Sequence, residues 1–347
     1  MKQKKAIVFF SAGLGDALLL VPLVKRLKKQ GYKVSGLFNS GMPCKELMEN
    51  TGLLDEIISS ENKMEQAVVS LKKAARYDLA VINYFAANRK NLLTAAVLAK
   101  QIFTNRKINP TLEKSFASKI KYVEPVKNLH DAEQNLLLID ERNFTLKDLE
   151  IPVLKNPDFK LPKEYVVLQI SSGNAVVAYK DWPFKNWAEF LKLFFEKNPN
   201  KQIVLTGNKI DIENAAKLTK EFGEKIISLA GKTSITQAMQ VLSNTKLFIG
   251  SDGGLMHLAV AFSKPTFTVW GPSSEKLYGY EQFSSSLHKC VRLNLGCFPC
   301  SAWINSNSTK AKEPESCPDH VCMKQLGANE VFMQFTKYVS SLPAHVW

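Results

Sequence analysis

Apolar positions along this chain fall into two alternating rhythms. Short unbroken apolar runs read as buried strands, and between them apolar residues recur with helical spacing. In the first half "AIVFF" (6–10) is a strand, followed by a helix over 16–30 that ends at Gly31. "YKVSGLF" and the short "DEIIS" are the next strands, then a polar-faced helix over 62–76, the strand "YDLAVIN" and a helix over about 89–103. Residues 151–163, "IPVLKNPDFKLPK", hold three prolines and no helical period, so they read as an extended connection. The alternation then restarts. Strands "YVVLQI", "QIVLTG", "KIISLAG", "KLFIGS" and "TFTVWG" are separated by helices "NWAEFLKLFFEKN", "DIENAAKLTKEFG", "SITQAMQVLSN" and "LMHLAVAF".

This pattern predicts an α/β chain of two Rossmann-like domains with parallel sheets, over 1–155 and 164–326, joined by a linker at 156–163. A cysteine-rich loop over 290–323 belongs to the second domain. A last helix, about 327–342 within the segment 327–347, is expected to pack back on the first domain. Ligands of such paired folds are expected in the cleft between the halves.

Composition agrees and adds a sign of charge. With 347 residues, 45% hydrophobic and 22% charged, the chain suits two ordinary domains and is not disordered. The N-terminal "MKQKK" and the apolar run after it imitate a signal peptide, but Gly13, Gly15 and Asp16 interrupt that run. No stretch of about 20 apolar residues is present to span a membrane. The expectation is a cytoplasmic protein whose six cysteines are thiols or metal ligands. Lys and Arg number 46 against 32 Asp and Glu, a net charge of +14 that favours anionic partners. Residues 86–127 concentrate the excess, with nine basic residues against two glutamates, a run that alone reads equally as a solvated face.

Three stretches carry candidate chemistry. In "SAGLGDALLL" a glycine-rich turn follows the first strand, and Asp16 stands where a helix starts. Leu18 occupies the place of the third glycine of a dinucleotide fingerprint, which disfavours a nicotinamide-dependent oxidoreductase. Asp16 is either a helix cap or a catalytic carboxylate. In "FIGSDGGLMHLAVAFSKPTFTVWGP" a strand ends at Ser251, Asp252, Gly253 and Gly254 turn into a helix, and His257 lies in its first turn. Unpaired N–H groups and the helix dipole at such a terminus suit a diphosphate; the plainer reading is a crossover capped by Asp252 with His257 packed beneath. Finally, Cys297, Cys300, Cys317 and Cys322, with His320 between the last two, read as packed thiols or as a structural zinc site. A basic nucleic-acid binder would fit the charge, but no interleaved aromatic and basic motif supports one.

"GLGDALLLVPLVKRLKK", "YKDWPFKNWAEF", "DGGLMHLAVAFSKPTFTVWGP" and "CFPC…CPDHVCM" together resemble, in order, the motifs of glycosyltransferase family 9, the lipopolysaccharide heptosyltransferases. The resemblance implies a GT-B fold and inverting sugar transfer, most simply of heptose from ADP-heptose, with no divalent metal required. It implies that Asp16 is the general base and that the acceptor, a lipid-linked saccharide core, binds the first domain. There Gly13 and Gly15 would bring backbone close to the acceptor, and Arg89, Lys90, Arg106 and Lys107 would hold its phosphates and the anionic inner membrane face. The nucleotide-sugar would bind the second domain through Ser171, Ser172, Lys180, Asp252, Gly253, Gly254 and His257. "GNKIDIE" is similar to the family's loop near the ribose, implying roles for Asp211 and Glu213, although Lys209 replaces the usual proline. Trp182 and Trp187 are expected to pack and not to react.

Overall fold

The structure is a computed structural model. It describes residues 3–10, 13–39, 41–60, 76–152, 160–173, 179–300, 320–343 and 346–347. The chain divides into two compact units, Met1–Ile151 and Pro152–Trp347.

In the first unit the elements run β1 (Lys5–Phe10), α1 (Leu14–Leu19), α2 (Val21–Lys29), β2 (Lys33–Asn39), α3 (Pro43–Thr51), β3 (Glu56–Ser60) and β4 (Tyr77–Ile82). They continue through α4 (Arg89–Leu98), β5 (Ala99–Thr104), α5 (Pro110–Ser115), β6 (Ile120–Tyr122), α6 (Asp131–Leu137) and α7 (Leu146–Leu149). The strands form one parallel sheet in the order β3-β2-β1-β4-β5-β6. Ala6 stands opposite Val34 on one side and Leu79 on the other, so β1 is central and wholly apolar after Lys5. Ile7, Phe9, Ala80, Ile82, Leu92 and Ile102 form the core on one face.

Two sequence expectations change here. The helix expected over 16–30 is two helices, α1 and α2, which meet at Leu20. Pro22 is the second residue of α2, where its missing N–H costs nothing, but its ring denies the first helix a continuous ladder. The helix expected over 89–103 stops at Leu98, and Ala99–Thr104 is β5, with Ile102 beside Ala80 and Ile120. Pairing on both sides outweighs the local helical period there. The helix expected over 62–76 falls almost entirely outside the described residues.

The second unit runs β7 (Val166–Gln169), α8 (Phe184–Lys197), β8 (Ile203–Thr206), α9 (Ile212–Phe222), β9 (Ile226–Ser228), α10 (Ile235–Asn244) and β10 (Leu247–Ser251). Then follow α11 (Gly254–Ala261), β11 (Thr266–Val269), α12 (Glu275–Tyr278), β12 (His288–Val291), α13 (Val321–Lys324) and α14 (Ala328–Ser341). Its parallel sheet has the order β12-β11-β10-β7-β8-β9. The segment read as a loop from residue 290 therefore begins inside a strand, β12. Helix α14 buries Val331, Phe335 and Tyr338 in this unit's own core. Phe335 lies 5.5 Å from Phe190 and 5.2 Å from Phe267, ring centre to ring centre. The helix expected to pack back on the first domain thus lays this face in the second unit's core.

The two sheets share one topology. Counting strands within each unit, both have the order 3-2-1-4-5-6, and the chain reverses direction across the sheet between the first strand and the fourth. That reversal opens a crevice beyond the carboxyl ends of β1 and β4, and of β7 and β10. Among the described residues no helix is long and apolar enough to cross a membrane.

Candidate active site

Each crevice receives the residues that follow its strands. In the first unit β1 ends at Phe10, and α1 begins four residues later, with Gly13 in an extended conformation as its cap. Asp16 is the third helical residue and not the cap residue itself. Its carboxylate reaches back to accept the Gly13 N–H at 3.1 Å. It thus satisfies a helix-terminal donor from inside the helix. Asp16 is half-buried at the carboxyl edge of the sheet.

The basic residues of this unit gather on the same edge. Lys90, the second residue of α4, donates to Asn39 at the end of β2, at 3.4 Å. Arg89 beside it is exposed, after the cap Asn88, whose side chain accepts the Asn91 N–H. Arg106, just past β5, lays its guanidinium 4.6 Å from the Tyr84 ring centre and donates to the Tyr84 carbonyl at 3.4 Å. Lys107 stands 5.3 Å from the Tyr122 ring. The aromatic faces hold the cations without neutralising them.

In the second unit the corresponding edge is closed and polar. Asp252 follows β10 and is buried; its carboxylate meets the Lys180 ammonium at 2.8 Å, with side chains only 6% and 11% exposed. The Ser273 hydroxyl donates to the same carboxylate oxygen. Burial alone would raise this carboxyl, but Lys180, Ser273 and His257 together hold it below the usual carboxylate value. His257, one turn further, is buried, and Nδ1 shares a 2.6 Å hydrogen bond with the Tyr280 hydroxyl. Burial lowers its pKa to about 4, against the opposing pull of Asp252, so the ring is neutral near pH 7. Gly253 caps α11, and a Cβ there would come within 3.3 Å of the Ser172 carbonyl oxygen, so the β7 and β10 loops meet closely at this point.

Lys180 is placed by its neighbour. Trp182 is buried in the core, stacked edge-on at 4.8 Å against Trp187, and its indole N–H donates to the Leu326 carbonyl at 2.8 Å. Both tryptophans pack, as the sequence suggested. Asp181, between them and the site, accepts the Ser172 N–H at 2.5 Å. The Ser171 hydroxyl donates to Asp211 at 2.5 Å, and Asp211 also accepts the Asn208 N–H at 2.9 Å. Burial raises the Asp211 carboxyl. Asp211 is therefore an internal strut tying the β7 and β8 loops, and Gly207 is needed because a Cβ there would collide with it. Glu213 stands apart, 82% exposed and paired with Lys217 at 2.6 Å on the solvent face of α9.

The structure brings the predicted Lys180, Asp252, Gly253 and His257 together with Ser171, Ser172 and Asp211. The sequence pattern missed Ser273, Tyr280 and Asp181. Ser273 follows "WGP" directly and Asp181 stands inside "KDWP", so both were within the stretches already singled out; Tyr280 had no local signal. Of the cysteine set, Cys317 lies outside the described residues. Cys297 is exposed, and Cys300 points its thiol at the Pro272 carbonyl, 3.9 Å away. Among the described residues no group of three or more His, Cys, Asp or Glu is arranged to hold a metal ion.

The model of glycosyltransferase family 9 (heptosyltransferase) matches residues 66–310. The chain belongs to glycosyltransferase family 9. Lipooligosaccharide heptosyltransferase 2 of Campylobacter jejuni is 25% identical over 346 residues, 95% of this chain and 97% of that protein. Lipopolysaccharide heptosyltransferase 2 of Salmonella typhimurium is 33% identical over 121 residues, 34% of either chain. Among solved structures, a family 9 glycosyltransferase from Veillonella parvula superposes with a TM-score of 0.70 at 17% identity, over 98% of both chains. The ADP-heptose lipopolysaccharide heptosyltransferase II of E. coli gives 0.67 at 19% identity, over 97% of this chain and 98% of that one. The fold of this family 9 enzyme is accordingly GT-B, and its class is glycosyltransferase. The oxidoreductase and nucleic-acid readings are set aside with it.

Proposed function

We propose that this family 9 glycosyltransferase moves heptose from ADP-heptose to a lipid-linked lipopolysaccharide core, with inversion and without a divalent cation. The observation that carries this reading is the buried Lys180–Asp252–Ser273 group at the start of α11, opposite in character to the half-buried Asp16 on the other unit. Relatives and structural neighbours whose names specify heptosyl transfer support the sugar.

The diphosphate rests on the α11 N-terminus, where the first N–H groups lack acceptors within the helix and Lys180 adds a cation. The neutral His257 and the close Gly253–Ser172 approach keep that terminus shaped for phosphate oxygens. Asp16 accepts the proton of the acceptor hydroxyl as its oxygen attacks the anomeric carbon. The bond from that carbon to the diphosphate breaks, and ADP leaves with the electron pair. A positioned base contributes roughly 10²–10⁴-fold; orientation and stabilisation of the leaving charge supply the rest. Arg89, Lys90, Arg106 and Lys107 hold acceptor phosphates and bring the enzyme to the anionic cytoplasmic face of the inner membrane.

The test is a transfer assay with ADP-heptose against ADP-, GDP- and UDP-hexoses on a deep-rough lipopolysaccharide acceptor. The expected result is transfer from ADP-heptose alone, with the anomeric configuration inverted. Preferred use of a GDP- or UDP-sugar would overturn the donor assignment.

A further inference from the structure

Helix α4 follows β4 at the carboxyl edge of the first sheet and turns an unusual face to solvent. Six of its ten residues are buried. The four left outside are Arg89, Lys90, Leu93 and Val97. Leu93 and Val97 are 44% and 42% exposed and stand one turn apart on a single stripe. Surface helices normally place polar residues there. Here every exposed residue of the helix is a cation or a large aliphatic side chain, and none is an acid or a neutral polar group.

The same mixture marks the segment around it. Four of the seven large hydrophobic side chains exposed among the described residues, Leu93, Val97, Tyr122 and Val126, fall within 86–127. That segment carries nine basic residues against two glutamates. One of those acids, Glu113, is engaged at the start of α5, where it accepts the Asn109 N–H at 3.2 Å and the Ile108 N–H. Exposed aliphatics scattered singly are ordinary; their concentration in a strongly basic stretch marks a contact surface.

We propose that the outer stripe of α4 docks on an anionic lipid surface, with Leu93 and Val97 entering the acyl boundary and Arg89 and Lys90 meeting headgroup phosphates. The inference rests on the reading that the acceptor is lipid-linked.

The chemistry of the stripe selects this partner. Aliphatic side chains flanked by cations gain from a phase that is apolar beneath and negatively charged at its surface, which an anionic bilayer supplies. A nucleic acid stacks on aromatic faces and gains little from Leu93 or Val97. A second copy of the chain would present the same positive stripe, and stable protein interfaces bury about 1,000 Å² or more, far beyond two side chains. Lys90 donates to a neutral amide, Asn39, and so keeps its charge, whereas the exposed Lys100 beyond the helix is paired with Asp78 at 2.8 Å. The charge offered to lipid therefore sits at the first turn of α4, on the edge that carries Arg106 and Lys107. Docking by this stripe sets the acceptor edge at headgroup level, where a lipid-linked saccharide leaves the bilayer.

The test is co-sedimentation of the full chain with vesicles of phosphatidylcholine, alone or mixed with phosphatidylglycerol, over a range of salt. Wild type should bind the mixed vesicles and hardly bind phosphatidylcholine, and salt should weaken the binding without abolishing it. Leu93→Gln combined with Val97→Gln keeps every charge, and should bind the mixed vesicles roughly tenfold or more weakly at each salt concentration. Leu93→Trp should bind more tightly, since tryptophan favours the membrane interface. Both positions are exposed, so melting temperature and ADP affinity should match wild type. In transfer, the double variant should fall behind wild type on acceptor embedded in vesicles and equal it on the delipidated core saccharide. Equal vesicle binding by wild type and the double variant would overturn the proposal, as would a wild type indifferent to phosphatidylglycerol. So would self-association of the wild type that the double variant loses in sedimentation velocity, because the stripe would then join copies of the chain. Vesicle binding needs no turnover, so failure of ADP-heptose as donor leaves this result standing. Lost docking with intact transfer from ADP-heptose removes only the role of α4.

Discussion

The two units share a strand order and set an acid at the same topological switch point, Asp16 after the first strand of its unit and Asp252 after the fourth, yet the acids differ in almost every physical respect. Asp16 accepts a backbone N–H, is half-buried, and stands on an edge whose cations lie over tyrosine rings. Asp252 is buried, ion-paired with Lys180 and bonded by Ser273. A parallel sheet that reverses its winding dictates where a ligand can sit. It does not dictate what the site does there. An accessible carboxylate can receive a proton from an incoming hydroxyl. A carboxylate saturated by a lysine and a serine cannot, but it fixes a cation, the one that in the proposed reading meets the departing diphosphate.

The comparison is broken most severely at Lys180. Lys180→Ala leaves Asp252 buried without its cation, which should cost about 3–5 kcal/mol of stability. The remaining folded protein should bind ADP roughly 10–100-fold more weakly, from loss of a charge-assisted contact. Calorimetric titration with ADP alongside thermal melting checks both; unchanged ADP affinity would move the phosphate site elsewhere.

Acid should separate the units next. His257 and His288, both in the second unit, are buried with pKa values lowered to about 4, burial being the main cause. Between about pH 6.5 and 4 the unfolded chain binds protons at these rings and the folded chain does not. Their contribution to stability is therefore present above that window and lost as pH falls through it, by about 2–3 kcal/mol for each ring. Asp131, in the first unit, works in the opposite sense, since its raised carboxyl binds a proton in the folded state first. His288→Gln should accordingly lose less stability than wild type between pH 6.5 and 4, measured by denaturant unfolding at each pH. Parallel slopes would contradict the burial argument.

Smaller still is the effect at the surface cations of the first unit. Replacing Arg89, Lys90, Arg106 and Lys107 by Gln should raise the acceptor KM several-fold, on the order of tenfold at low salt, and flatten its dependence on ionic strength. ADP affinity should stay the same. A loss confined to ADP affinity would reverse the assignment of the two units. At the bottom of the scale, millimolar EDTA should leave the transfer rate unchanged, since the proposed reading has Lys180 and the α11 terminus meet the diphosphate charge.

Much of this architecture was legible in the chain because parallel strands buried on both faces appear as unbroken apolar runs, as "AIVFF" and "KLFIGS" do. What escaped was decided by contacts remote in sequence. Ala99–Thr104 alternates too weakly to announce a strand, and becomes one because β4 and β6 pair with it on either side. The junction at Leu20 is marked in the sequence by Pro22. At the site, Asp252 and Lys180 were found from their local settings, 72 residues apart, but their ion pair was not. Asp211 looked like a ligand-facing acid and is instead a strut, because its partner Ser171 lies 40 residues away.

The division of labour between the two acids is tested most directly by measuring transfer rate, ADP-heptose affinity and melting temperature on one preparation of Asp16→Asn. The amide can accept the Gly13 N–H as the carboxylate does, so stability should change by well under ~1 kcal/mol. It cannot take the hydroxyl proton, so transfer should fall by roughly 10²–10⁴-fold. Donor binding, which the proposed reading assigns to the second unit, should be intact. Transfer within a few-fold of wild type would reduce Asp16 to a helix cap and contradict the account.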